Sequence, residues 1–268
     1  MATSSPYLKQ SSAKAASLIT FSGVRKSFTV RGRTTDVIEQ FDLGIRDGEF
    51  ICVVGPSGSG KSTILNMVAG LLPPSKGVVS YDGQVVNSVN TAVSYLTQHD
   101  TLLPWRTVAD NIALPLEIKR VPKAQRLQSV QAMIETVGLS GFAKHYPSQL
   151  SGGMRKRVML ARMLVQDPAT ILMDEPFGPL DAQLKLALQA ELLRLWTVTH
   201  KTILFVTHDI VEAITLADRV VVFSARPSRV KFVENISIPR PRDVHEVRFL
   251  KGFEEHYRRL QDAIDINA

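Results

Sequence analysis

The stretch Phe50-Ile51-Cys52-Val53-Val54-Gly55-Pro56-Ser57-Gly58-Ser59-Gly60-Lys61-Ser62 decides the fold. The apolar run Phe50–Val54 reads as a strand buried on both faces. The segment from Gly55 to Ser62 matches G-x-x-x-x-G-K-[ST] in full, and an apolar-periodic helix is predicted from about Ser62 to Ala69, stopped by Gly70 and Pro73-Pro74. Strand, glycine-rich loop and helix in that order make a phosphate-binding loop. The glycines let the backbone curl so that successive N–H groups converge on phosphate oxygens. The helix N-terminus adds a favourable field for anions. Lys61 has the reach for β- and γ-phosphates, and the Ser62 hydroxyl is the Mg²⁺ ligand of such loops. The motif predicts nucleoside triphosphate binding.

Outward from this loop, strands alternate with helices. Leu18 to Phe28, Val37 to Ile45, Val78 to Tyr81 and Val93 to Leu96 read as strands. Thr107 to about Val137 reads as helices interrupted at Pro115 and Pro122, and Gly152 to Gln166 as a further helix. Thr170–Met173, Thr202–Val206 and Val220–Phe223 read as strands, with helices at Leu184–Thr199 and Ile210–Leu216 between them. The alternation predicts an α/β fold with a mostly parallel sheet covered on both faces. Beyond Pro239-Arg240-Pro241, the residues Phe249, Phe253, Tyr257, Leu260 and Ile264 share one face of a helix. Glu254 and Glu255 each precede an arginine by four positions, Arg258 and Arg259, which supports that helix. It is expected to dock on the core.

A triphosphate site needs a carboxylate at the end of a buried strand. Thr170-Ile171-Leu172-Met173-Asp174-Glu175 supplies two. Asp174 ends the apolar run and suits the Mg²⁺ shell. Glu175, next along the chain, suits removal of a proton from water attacking the γ-phosphate.

Composition bounds the rest. The chain has 268 residues, 44% of them hydrophobic, which excludes disorder throughout and allows a sizeable core. Its single cysteine, Cys52, cannot form an internal disulfide and favours a reducing compartment. No apolar run approaches the roughly 18 residues of a membrane span. Residues 1–17 lack the apolar stretch of a signal peptide and read as a mobile tail. The net charge of +7 invites a nucleic-acid reading, but Lys9, Lys14, Arg25, Lys26, Arg31 and Arg33 carry most of it. A charge excess confined to one end is a weak nucleic-acid footprint. His99, His145, His200, His245 and His256 show no metal-ligand spacing.

Leu150-Ser151-Gly152-Gly153-Met154, ahead of the basic residues Arg155 to Arg157, resembles the signature loop of ATP-binding cassette (ABC) ATPases. A serine hydroxyl and glycine N–H groups at a helix start make a second anion site. The family usually has Gln at the Met154 position, a departure familiar in one group of importers. Gln98 resembles the family's Q-loop glutamine and His208 its switch histidine. Gly178-Pro179-Leu180-Asp181 resembles the D-loop, where the family commonly has Ala at the Pro179 position. Phe28 stands where the family packs an aromatic ring against adenine. Leu102-Leu103-Pro104-Trp105, Phe177-Gly178-Pro179-Leu180-Asp181 and Pro239-Arg240-Pro241-Arg242-Asp243 look like the ATP-binding subunits of nitrate, sulfonate and taurine importers.

The resemblance covers about residues 18–265 and implies a P-loop NTPase cassette. It implies an ABC ATPase domain over 18–240, with an N-terminal antiparallel β portion and a helical subdomain at about 99–165. A C-terminal helical extension follows at 241–268. It implies ATP bound by Phe28, by Gly55, Pro56, Ser57, Gly58, Ser59, Gly60, Lys61, Ser62 and Thr63, and by the signature residues Ser151, Gly152 and Gly153. Mg²⁺ would be held by Ser62, Gln98 and Asp174, and catalysis carried by Glu175, His208 and Gln98. The signature residues would act on the nucleotide of a second, head-to-tail copy. The implied partners are a multispan membrane permease and, indirectly, an external solute-binding protein, with the chain at the cytoplasmic face of the inner membrane. The competing class is an ABC-type ATPase acting on nucleic acid or in translation. Such proteins usually carry long coiled-coil insertions or paired cassettes, which this chain lacks.

Overall fold

The computed structural model describes residues 17–178 and 180–265. Two sheets share the core. A six-stranded sheet runs in the order β10 (Val230–Asn235), β9 (Arg219–Phe223), β3 (Phe50–Val54), β8 (Thr202–Val206), β7 (Thr170–Asp174), β6 (Val93–Leu96). All neighbours are parallel except β10, which runs antiparallel to β9. The second sheet is antiparallel, in the order β2 (Arg33–Arg46), β1 (Ser17–Val30), β4 (Lys76–Tyr81), β5 (Gln84–Val85). This is the α/β fold with a mostly parallel sheet that the alternation predicts, with the antiparallel β portion that the resemblance implies.

The parallel strands are continuous apolar runs because both of their faces are buried. Along β3, Phe50, Cys52 and Val54 face one core with Met173 and Phe205 of the neighbouring strands. Ile51 and Val53 face the other with Leu204 and Val221. The first core is covered by helices α2 (Val108–Ile118), α3 (Lys123–Thr136), α4 (Gly152–Leu164), α5 (Ala182–Thr199) and α6 (Ile210–Leu216). The second is covered by α1 (Lys61–Val68) and by the antiparallel sheet through Phe21, Phe41 and Ile45. Parallel strands all end at the same edge, so the loops after β3, β6, β7 and β8 converge there.

Three local readings are corrected. Pro115 does not interrupt a helix but lies inside α2, which continues to the Lys119 N–H bonding the Pro115 carbonyl at 3.1 Å. The ring removes one intrahelical bond, but buried Ile112 and Leu116 and the Thr107 cap hold the helix through it. Phe249 is not on the terminal helix face. It sits in a short 3₁₀ turn, 82% exposed, and Gly252 at φ +91° separates that turn from α7 (Phe253–Asp265). The buried face of α7 is Phe253, His256, Leu260 and Ala263, with Tyr257 and Ile264 half-buried. Strands β5 and β10 also lie outside the pattern read from sequence. The buried inward group of β10 is Glu234, whose carboxylate meets His256 Nδ1 at 2.6 Å. Residues 1–16 of the expected tail, Pro179 and residues 266–268 lie outside the described residues; Ser17 opens β1.

Helix α7 packs on α6, β9 and β10. Arg242 fastens the segment leading to it. Its buried guanidinium donates to the Ile214, Ala217 and Ile238 carbonyls at 2.9, 2.6 and 2.9 Å, satisfying the C-terminal end of α6. Burial lowers the Arg242 pKa to about 10, so the cation persists at neutral pH. Leu260 is fully buried in this contact. Leu260→Ala is expected to cost about 2–5 kcal/mol. Urea unfolding should show this as a lower midpoint with an unchanged slope.

Candidate active site

The loop between β3 and α1 has no spare room. Gly55 has φ +153°, and a Cβ there would stand 2.6 Å from the Phe223 carbonyl oxygen of β9. Gly60 has φ +87° and caps α1; its Cβ would stand 2.9 Å from Ile38 Cγ1 of β2. Other side chains at these positions would push the loop out of its curve. Lys61 is buried and donates to the Gly55 and Pro56 carbonyls at 2.9 and 3.0 Å. Burial lowers its pKa, while the Glu175 and Asp174 charges oppose that shift.

A cleft of about 790 Å³ opens over this loop. Its lining includes Phe28, Ser57, Gly58, Gly60, Lys61, Ser62, Thr63, Gln98 and Glu175. Gly55, Pro56 and Ser59 are not among the lining residues. Asp174 ends β7 beneath it, with Ser62 and Tyr95 against its carboxyl group. Burial raises the Asp174 pKa, and the Ser62 contact works against that. Hydroxyl, amide and carboxylate oxygens from Ser62, Gln98 and Asp174 are the hard donors that Mg²⁺ prefers.

Glu175 stands at φ +43°, an unusual conformation for a residue with a side chain. Its N–H bonds the Val206 carbonyl at 2.9 Å, which fixes the turn after β7 to the end of β8. Its Oε2 accepts from Gln98 Nε2 at 3.4 Å and meets His208 Nδ1 at 3.1 Å. Three sequence-predicted residues, from the ends of three strands, thus share one carboxylate oxygen. The turns that carry Gln98 and His208 are held by neighbouring helices. Lys156 of α4 donates to the Gln98 carbonyl at 2.7 Å, and Arg155 pairs with Asp100 at 2.9 Å. Beside His208, Asp209 caps α6 and binds Lys185 of α5 at 2.7 Å. Buried Glu212 accepts from Gln189 at 2.8 Å and from Thr207.

Ser151 caps α4, its hydroxyl accepting the Met154 N–H at 3.2 Å. Ser151, Gly152 and Gly153 do not line the cleft of their own chain. The motif reading also missed several cleft residues. Arg33, Thr35 and Val37 come from β2, and Arg226 from the turn after β9. No local pattern ties these positions to the loop; only the packing of the two sheets does. The buried His256 serves α7 and not a metal, and no metal-type cluster occurs among the described residues.

With this geometry in hand, three comparisons are informative. The ABC transporter family model matches residues 38–178, just over half of the chain. An aliphatic sulfonates import ATP-binding protein of Bacillus cereus is 41% identical over 225 residues, covering 84% of this chain and 88% of its own. A nitrate import ATP-binding protein of Synechocystis is 39% identical over 214 residues, covering 80% of each. Among solved structures, the dimeric ATP-binding cassette MJ0796 bound to ADP and Pi superposes with a TM-score of 0.74 at 30% identity. The match covers 81% of this chain and 98% of that one.

The Lys185–Asp209 pair generates a pH prediction. Burial pushes the Asp209 carboxyl up. The Lys185 hydrogen bond and the Glu212 and Val211 backbone N–H groups outweigh it and hold the pKa below the usual range. A depressed carboxylate pKa stabilises the fold fully above the unfolded value, and this is lost as pH falls through the folded one. Lys185→Met should therefore lower Tm most near pH 7. The gap to the parent should narrow as pH falls below about 4, as thermal melts across pH will show.

Proposed function

Because this chain belongs to the ABC transporter family, we propose that it is the ATP-hydrolysing subunit of an importer for a small solute of the sulfonate, nitrate or taurine kind. The observation that carries this reading is the convergence of Gln98 and His208 on Glu175 above a complete phosphate loop. Residues 18–240 form the ATPase domain in this reading, with a helical subdomain at about 99–165 and an extension at 241–268.

Lys61 releases the Gly55 and Pro56 carbonyls and turns its ammonium to the β- and γ-phosphates. Phe28 receives the adenine ring. Ser62, Gln98 and Asp174 hold Mg²⁺, which when bound neutralises phosphate charge. Glu175 accepts the proton of the attacking water, and His208 orients that carboxylate through Nδ1. Charge placement and orientation do the rest, since phosphoryl transfer needs little covalent help.

Ser151, Gly152 and Gly153 present a capped helix start away from their own cleft, so they serve the nucleotide of a second copy arranged head to tail. The dimeric form of the MJ0796 cassette supports that arrangement. Closure and reopening of the pair would drive a separate membrane permease, with an external solute-binding protein delivering the solute. Among the described residues no helix is long and apolar enough to cross a membrane, in keeping with a peripheral place at the inner membrane's cytoplasmic face. The permease would dock near Gln98 and the helical stretch 102–137, where Trp105 and Ile118, the last residue of α2, are well exposed. Two relatives that are import subunits favour transport over action on nucleic acid.

Glu175→Gln keeps the shape of the site but removes its base. Turnover should fall by about 10²–10⁴-fold while ATP binding persists, measured by phosphate release and by nucleotide titration. Hydrolysis near the parent rate would overturn the assignment of Glu175.

A further inference from the structure

Arg226 belongs to none of the sequence motifs, yet it reaches the apex of the phosphate loop. Its Nε and Nη2 both donate to the Gly58 carbonyl, at 3.2 and 2.9 Å. The turn that carries it is fastened to β2. Fully buried Ser228 donates its N–H and hydroxyl to the Val37 carbonyl at 2.9 and 3.2 Å, and its own carbonyl accepts the Glu39 N–H at 2.7 Å. The same turn is closed by the Ser224 N–H on the Arg229 carbonyl at 3.0 Å. Val37 in turn crowds Gly60 at the other end of the loop. One scaffold thus sets the position of both the guanidinium and the loop.

We propose that Arg226 is a nucleotide-positioning residue that sets the affinity of the cleft for ATP. The inference rests on reading this cleft as the ATP site. A trans peptide points its C=O and N–H in opposite directions. Holding the Gly58 carbonyl on Arg226 therefore turns the Ser59 N–H to the inside of the loop, where it meets the Pro56 carbonyl at 3.3 Å. That is the side on which a phosphate loop gathers its donors. Arg226 also lines the cleft with Lys61, Ser62 and Thr63. Among the described residues no carboxylate forms an ion pair with it, and Nη1 makes no hydrogen bond. A permanent cation with donors to spare at the rim of a phosphate site suits an anionic ligand. A lysine there would keep the charge and lose the two-pronged hold on Gly58.

The test is calorimetric titration of MgATP into the full chain and its Arg226→Gln, Arg226→Lys and Lys61→Ala variants, with melting curves for each. Arg226→Gln should raise Kd about tenfold, the order of one lost charge-assisted hydrogen bond, and Arg226→Lys should recover part of that loss. The unliganded melting temperature should stay at the parent value while the ATP-induced rise shrinks. A Kd within about twofold of the parent for Arg226→Gln, with binding weakened in Lys61→Ala, would overturn the role of Arg226. So would a lowered unliganded melting temperature with an unchanged ATP-induced rise, which assigns the residue to packing alone. Unchanged binding in Lys61→Ala as well would overturn the reading of the site itself.

Discussion

The loop from Gly55 to Gly60 is gripped at both ends by the two sheets. At one end the backbone of β9 stands where a Gly55 side chain would go, and at the other Ile38 of β2 crowds Gly60. The strand before the loop is buried between two cores, and the helix after it belongs to one of them. The position of the loop is therefore set by how the parallel and antiparallel sheets pack, and cannot drift while the core is intact. Fold and phosphate site are the same constraint seen at two scales. Arg226 and the turn around Ser228 extend that grip to the loop apex.

A second consequence is electrostatic. The parallel sheet brings Lys61, Asp174 and Glu175 to one edge, in surroundings that disfavour isolated charge. Burial moves Lys61 down and Asp174 up, and each is offset by the other's presence. A polyphosphate with its cation suits such an edge, because it supplies both signs at once. Glu175 is kept in place by Gln98, His208 and the Val206 carbonyl; Lys156 holds the Gln98 backbone, and Lys185 holds Asp209, the residue after His208. The contacts from α4 to Gln98, and from α5 to Asp209 next to His208, link helices outside the cleft to the turns that carry the residues around the carboxylate.

Much of this was legible in the sequence, for physical reasons. Strands buried on both faces, such as Phe50–Val54 and Thr202–Val206, leave continuous apolar runs, and the phosphate loop needs glycine at fixed intervals. The parts that escaped depend on tertiary contacts. Strand β10 buries Glu234 where a pattern reading looks for an apolar residue, because His256 arrives from α7 to pair with it. Pro115 reads as a break, but packing of Ile112 and Leu116 outweighs the lost bond. Phe249 fits the spacing of the helix face, but Gly252 starts the helix after it. Arg33, Tyr95 and Arg226 reach the site from two strands and a turn far apart in the chain, and nothing local marks them.

The proposed head-to-tail pair requires Ser151, Gly152 and Gly153 to complete the nucleotide site of a second copy. The direct measurement is the light-scattering mass of the Glu175→Gln chain with MgATP and with MgADP. Such a pair predicts about twice the 29.6 kDa chain mass with MgATP and the single-chain mass with MgADP. A single-chain mass under both conditions would contradict it.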